Sequence, residues 1–138
     1  FKGGRQDLST RAEAKLGKPP YIELAMALDV TGSMNSNGKL STLKSAASDL
    51  IDSLLSYENA EAKIGIAPFA QYVNIGTKHA AETWLDNPGA GWTGCVGSRS
   101  YPFNVQDEDY LAVRVPGVNG APCPNALLPL TDDADALK

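Results

Sequence analysis

The chain has 138 residues, enough for one domain with a core of its own. Hydrophobic residues make up 43% and charged residues 20%, the balance of a globular rather than a disordered chain. Lys and Arg number 12 against 16 Asp and Glu, a net charge of −4, which argues against nucleic acid as a partner. One histidine, His79, excludes a His-rich zinc site, and two cysteines, Cys95 and Cys123, exclude a four-cysteine site.

Residues 1–20 carry five basic and two acidic side chains and end in Pro19-Pro20. They read as a linker or N-terminal arm. The first residue is Phe1, so a longer parent is expected, in which a signal or anchor could precede this segment. Tyr21 to Val30, YIELAMALDV, is an almost unbroken apolar run ending in an acid, the pattern of a strand buried on both faces. It breaks into TGSMNSNG, a Ser-, Asn- and Gly-rich loop.

Lys39 to Tyr57 repeats apolar residues every three or four positions, at Leu40, Leu43, Ala47, Leu50, Ile51, Leu54 and Leu55. That spacing predicts an amphipathic helix of about five turns, with Leu43, Leu50 and Leu54 on the sheet. Ala62 to Ala70, AKIGIAPFA, predicts a second strand with Pro68 near its end. Strand, helix and strand make a βαβ unit, whose strands run parallel. Gln71 to Gly76 is expected to return as an antiparallel strand on the outside of the sheet. Ile64 to Thr77 is uncharged but holds Pro68, Gln71 and Asn74, so it is no membrane span.

Between Asp86 and Gly120 lie nine Gly or Pro residues, the composition of a large loop. Tyr110 to Val115 could make one short strand, and Thr131 could cap a helix that starts near the end. Asp107, Glu108 and Asp109 read as a solvated turn, His79 as a surface histidine, and Trp84 and Trp92 as loop anchors.

The chemistry lies in Asp29-Val30-Thr31-Gly32-Ser33. An acid and two hydroxyls at alternate positions supply three oxygen ligands at the carboxyl end of a strand, the usual ligand crevice of an open α/β sheet. Few charges and all-oxygen donors suit Mg²⁺, or Mn²⁺ or Ca²⁺, keeping several waters. The following helix is expected to aim its N-terminus there, favouring an anionic ligand over the metal. A phosphoryl-transfer enzyme with Asp29 as nucleophile is a competing reading, and so is a structural domain without metal.

IELAMALDVTGSM followed by a helix and KIGIAPFAQYVNIG resembles the opening half of a von Willebrand factor A domain. Asp29, Thr31 and Ser33 match the first segment of that family's metal-ion-dependent adhesion site. WTGCVGSR at 92–99, Cys123-Pro124 and Pro129-Leu130-Thr131 resemble the TadG-like proteins of bacterial Flp/Tad pilus assembly. The resemblance covers about residues 20–131. It implies a Rossmann-like α/β fold, a mostly parallel sheet with helices on both faces, truncated after its first half. Residues 86–128 would be a Gly/Pro-rich insertion within a partial domain at 21–138. It also implies a protein partner, a pilus or surface component, whose carboxylate completes the metal shell. No turnover is expected. The site of action would be the periplasm or the bacterial cell surface. In that oxidising setting Cys95 and Cys123 would pair, closing a loop worth roughly 3–4 kcal/mol; in a cytosolic protein they would stay thiols.

A complete domain of this kind supplies a second-loop Thr and a third-loop Asp to the metal. Leu130-Thr131-Asp132-Asp133 mimics the third loop, but NALLPL does not read as a buried strand, so that match is rejected and the metal site is expected to be incomplete. Cutting away later strands would bare one edge of the first strand, and self-association through that edge is expected.

Overall fold

A computed structural model describes residues 21–56, 61–120 and 122–138. The expected arm at 1–20 and Tyr57 lie outside the described residues. The chain is a mixed α/β structure with more strands than helices. Strand β1 (Tyr21–Asp29) leads to helix α1 (Lys39–Leu55) and then to β2 (Glu61–Phe69). Next come the two-residue strands β3 (Val73–Asn74), β4 (Leu85–Asp86), β5 (Cys95–Val96) and β6 (Val115–Pro116). Strand β7 (Leu128–Thr131) and helix α2 (Ala134–Leu137) finish the described chain.

β1 and β2 run parallel in unbroken register, from Tyr21 beside Glu61 to Asp29 beside Phe69. The βαβ reading therefore holds. β3 is antiparallel to β2, as expected, but shorter, and it is not outermost: β5 pairs beyond it, Val73 with Val96 and Asn74 with Cys95. β7 pairs antiparallel with β2 through Ile64–Thr131 and Ile66–Leu128, with a register shift between them. Gly65 sits at that shift. A Cβ there would come 3.3 Å from the Leu128 carbonyl and 3.4 Å from the Leu130 nitrogen, so the bare backbone allows β7 to cross. β4 and β6 form a separate parallel pair.

The core follows from one stripe of α1. Ile51 and Ile64 are fully buried with Leu137 of α2, and Leu24, Met26, Leu54, Leu55, Ile66 and Leu128 pack against them. At 100° per residue Ile51 sits at the middle of the stripe and Leu50 at its margin. Leu50 is accordingly 43% exposed, and Ile51 takes the place expected of it. Both α-helices pack on the Ile64 face. No described helix packs on the opposite face, where Ala25 and Ala27 are exposed.

The expectation that β1 is buried on both faces is overturned. Its residues alternate between exposed and half-buried, and none is fully buried. The cause is position: among the described strands β1 pairs only with β2, and one face lacks a helix. Tyr110 to Val115 is likewise not a strand; only Val115–Pro116 pairs. Asp109 captures the segment instead, its carboxylate accepting from the Leu111 N–H at 2.8 Å and its carbonyl from those of Ala112 and Val113. Asp133, not Thr131, caps α2, accepting from the N–H groups of Asp135 and Ala136. Thr131 belongs to β7.

Candidate metal and partner site

The Asp29 loop is rooted in the sheet. Asp29 stands beside Phe69 at the end of the parallel ladder, and the Val30 N–H donates to the Phe69 carbonyl at 2.8 Å. One step later the backbone leaves the sheet. Thr31 keeps extended dihedrals, and Gly32–Asn35 form a single 3₁₀ turn closed by the Met34 N–H on the Thr31 carbonyl. This turn separates the loop from α1, which starts only at Lys39 after the left-handed pair Asn37 and Gly38. The expected direct approach of the α1 N-terminus is thus replaced by the short turn.

Within the loop the three predicted ligands come together. The Thr31 N–H donates to Asp29 Oδ1 at 2.8 Å, and the hydroxyl oxygens of Thr31 and Ser33 lie 3.0 Å apart. Hydrogen bonding from Thr31, its backbone N–H first and then its hydroxyl, holds the Asp29 carboxyl below the usual carboxylate range against a smaller opposing effect of burial. Asp29 is therefore an anion at neutral pH. In an octahedral Mg²⁺ shell with bonds of about 2.1 Å, neighbouring ligands stand about 3 Å apart. The two hydroxyls, hydrogen-bonded to each other, stand at a distance compatible with that spacing. The donor set, one carboxylate and two hydroxyls, fits a hard divalent ion that retains water. Among the described residues no group of three His, Cys, Asp or Glu side chains is placed to hold a metal.

Asp132 and Asp133 do not reach this loop. Thr131 pairs with Ile64, and Asp132 lines a hollow with Tyr21 and Glu61 at the start of β1. Asp29 lies at the other end of that strand, about 25 Å away along nine residues. A short strand does precede these acids, but none of its residues is buried, as the reading of NALLPL expected. Because it runs antiparallel to β2, it delivers them to the wrong end of the sheet.

Cys95 and Cys123 form a disulfide, with Cα atoms 5.8 Å apart. The bond fastens the Gly/Pro-rich segment beside the loop. Val30, Thr31, Gly32, Ala70 and Gln71 face Pro122, Cys123 and Pro124 across a cleft of about 470 Å³. Three further contacts fix that wall. Asn74 Nδ2 donates to the Pro124 carbonyl at 3.0 Å, the Leu127 N–H donates to the Asn74 carbonyl at 2.8 Å, and Trp92 Nε1 donates to the Cys95 carbonyl at 2.6 Å. Trp92 is buried, the anchor expected of it. Pro122, Pro124, Gln71 and Asn74 escaped the sequence reading as site residues. Asn74 carried the one available signal, an asparagine between the apolar Val73 and Ile75 of a short strand segment.

The remaining candidates stand apart. His79 Nδ1 is 3.5 Å from Glu82, and its ring centroid lies 6.2 Å from that of Trp84. Asp107, Glu108 and Asp109 are exposed, and the Arg99 guanidinium donates to the carbonyls of Glu108 and Gln106. No described helix is long and apolar enough to cross a membrane. No family model, no curated protein and no solved structure matches the chain.

Proposed function

We propose that the chain is a metal-dependent protein-recognition module of the von Willebrand factor A type, most like the TadG-like pilus-assembly proteins. The observation that carries this reading is the 3.0 Å spacing of the Thr31 and Ser33 hydroxyls beside an ionised Asp29 at the carboxyl end of β1. Thr31 and Ser33 would hold Mg²⁺, with Asp29 balancing its charge directly or through a water. The ion, when bound, supplies a positive centre for a carboxylate of the partner. The role is recognition, not turnover. The disulfide supports an oxidising location, the periplasm or the cell surface, with a pilus or surface component as partner.

Three residues supply a single charge, so affinity for the ion alone is weak, on the order of millimolar. Calorimetry and Mn²⁺ paramagnetic broadening of the chain test this. Ser33→Ala and Asp29→Ala should each abolish binding while circular dichroism stays unchanged. Absence of any Mn²⁺ effect at the loop would leave the purely structural reading. Covalent labelling of Asp29 by acetyl phosphate with Mg²⁺ would instead favour phosphoryl transfer.

A further inference from the structure

The cleft beside the Asp29 loop does not end at Pro124. Val30 and Pro124 also line a second hollow of about 310 Å³, closed by Leu28, Leu40, Leu43, Lys44, Pro68 and Asn125. Val30 and Pro124 line both, so the two hollows adjoin. The second hollow is apolar except at its rim, where Lys44 makes no ion pair with a described residue. Its volume is at the low end of pockets that take specific ligands.

We infer that this second hollow is the specificity pocket of the metal-loop site, and that it receives a large apolar side chain of the partner. The inference rests on the metal-dependent reading above. The partner is an extended acidic segment. One carboxylate goes to the ion, and an aliphatic or aromatic residue two positions away enters the Leu40–Leu43 hollow. In an extended chain residues i and i+2 face the same way, about 7 Å apart, so both can point into the adjoining hollows. Charge complementarity selects an acidic segment, because Lys44 puts a positive charge at one end of an apolar floor and a bound ion would put another at the other end. The wall needs little ordering on binding. Proline fixes the backbone at Pro68 and Pro124, and Asn74 and the disulfide hold the Pro122–Pro124 side.

The test uses the full chain at saturating Mn²⁺ with three blocked pentapeptides. The first is Gly-Asp-Gly-Leu-Gly, the second replaces Leu by Ala, and the third replaces Asp by Asn. The Leu peptide should bind at least tenfold more tightly than the Ala peptide and shift the methyl resonances of Leu40 and Leu43. Leu43→Asn should remove that tenfold preference without changing Mn²⁺ affinity. Lys44→Glu, at an exposed position that leaves the fold alone, should weaken both Asp peptides severalfold. Equal binding of the Leu and Ala peptides, with Mn²⁺ still bound at Asp29, would overturn the pocket and leave the metal reading intact. Equal binding of the Asp and Asn peptides, or no Mn²⁺ binding, would overturn both.

Discussion

Asn74 and Pro124 are joined across fifty residues by a single side-chain hydrogen bond, Nδ2 to carbonyl, at 3.0 Å. The same asparagine accepts from the Gly76 N–H through Oδ1 at 2.9 Å and pairs with Cys95 through its backbone. It thus ties β3, β5 and the Pro122–Pro124 wall together at one point. A two-residue strand cannot hold such a wall by ladder bonds alone, so the side chain matters more than the strand.

Asn74→Ala leaves two partly buried backbone groups without their side-chain partner. Such losses cost about 1–3 kcal/mol each when the group stays dry. Urea unfolding should show a loss in that range. Asn74→Asp keeps the acceptor for Gly76 but places a carboxylate against the Pro124 carbonyl, so it should be no better than alanine.

Gly94 presses on the same asparagine. Its φ is +96°, and a Cβ would fall 2.5 Å from Asn74 Oδ1 and 2.8 Å from the Gly76 backbone. Gly89 has a similar φ of +93° with open space around it. Alanine at either position meets the left-handed strain, of order 1–3 kcal/mol. Only Gly94→Ala also meets backbone and side-chain atoms that cannot retreat. Gly94→Ala should therefore lower the midpoint of thermal unfolding well beyond Gly89→Ala, and the difference between the two measures the contact.

The core gives an equally direct contrast. Ile64 is fully buried between α1, α2 and β7, whereas Leu50 is 43% exposed. Ile64→Ala should cost about 2–5 kcal/mol through lost burial and an unfilled cavity. Leu50→Ala should stay within about 1 kcal/mol. Equal losses would mean that Leu50 is buried after all, as its place in the repeat suggested.

What the sequence revealed follows from which interactions are local. Helix α1 was legible because its apolar stripe recurs every turn, and the β1–β2 pair because two apolar runs flank it. Leu50 and Ile51 both lie within the apolar arc, and the choice of Leu50 for the sheet overlooked its place at the margin of that arc, where it is 43% exposed. β7 was missed because NALLPL holds a proline and no alternation; its pairing is supplied by β2, far along the chain. YLAVRV misled for the opposite reason, since the strand-forming side chains are overruled by one aspartate that captures three N–H groups. In the site, Asp29, Thr31 and Ser33 could be read from their spacing. The opposing wall could not, because Pro122 and Pro124 arrive there only through the disulfide and Asn74.

Metal binding should follow the charge of Asp29. Its folded pKa is depressed, so hydrogen bonding to the carboxylate favours the folded loop above the ordinary Asp value of about 3.9 and fades as pH falls through the lower folded value. Mn²⁺ affinity should then be flat between about pH 8 and pH 5 and collapse only below about pH 4. A midpoint near pH 6 would point to a histidine instead, and His79 would be the residue to replace.

The open edge of β1 makes a last prediction. Natural edge strands are guarded by lysines, prolines, bulges or brevity. β1 has none of these: it runs nine residues in unbroken register, with Glu23 as its one interior charge. Its second edge meets no described strand, and Ala25 and Ala27 leave the face beside it open. The 138-residue chain should therefore associate as concentration rises, through strand pairing along β1. Sedimentation velocity over a hundredfold concentration range reads this directly. Ala25→Lys places a charge at the middle of the exposed edge, where the side chain has room. It should shift the chain toward monomer with an unchanged circular dichroism spectrum. A wild-type chain that stays monomeric throughout, or a variant that associates as strongly, would mean that β1 is covered by something other than a second copy.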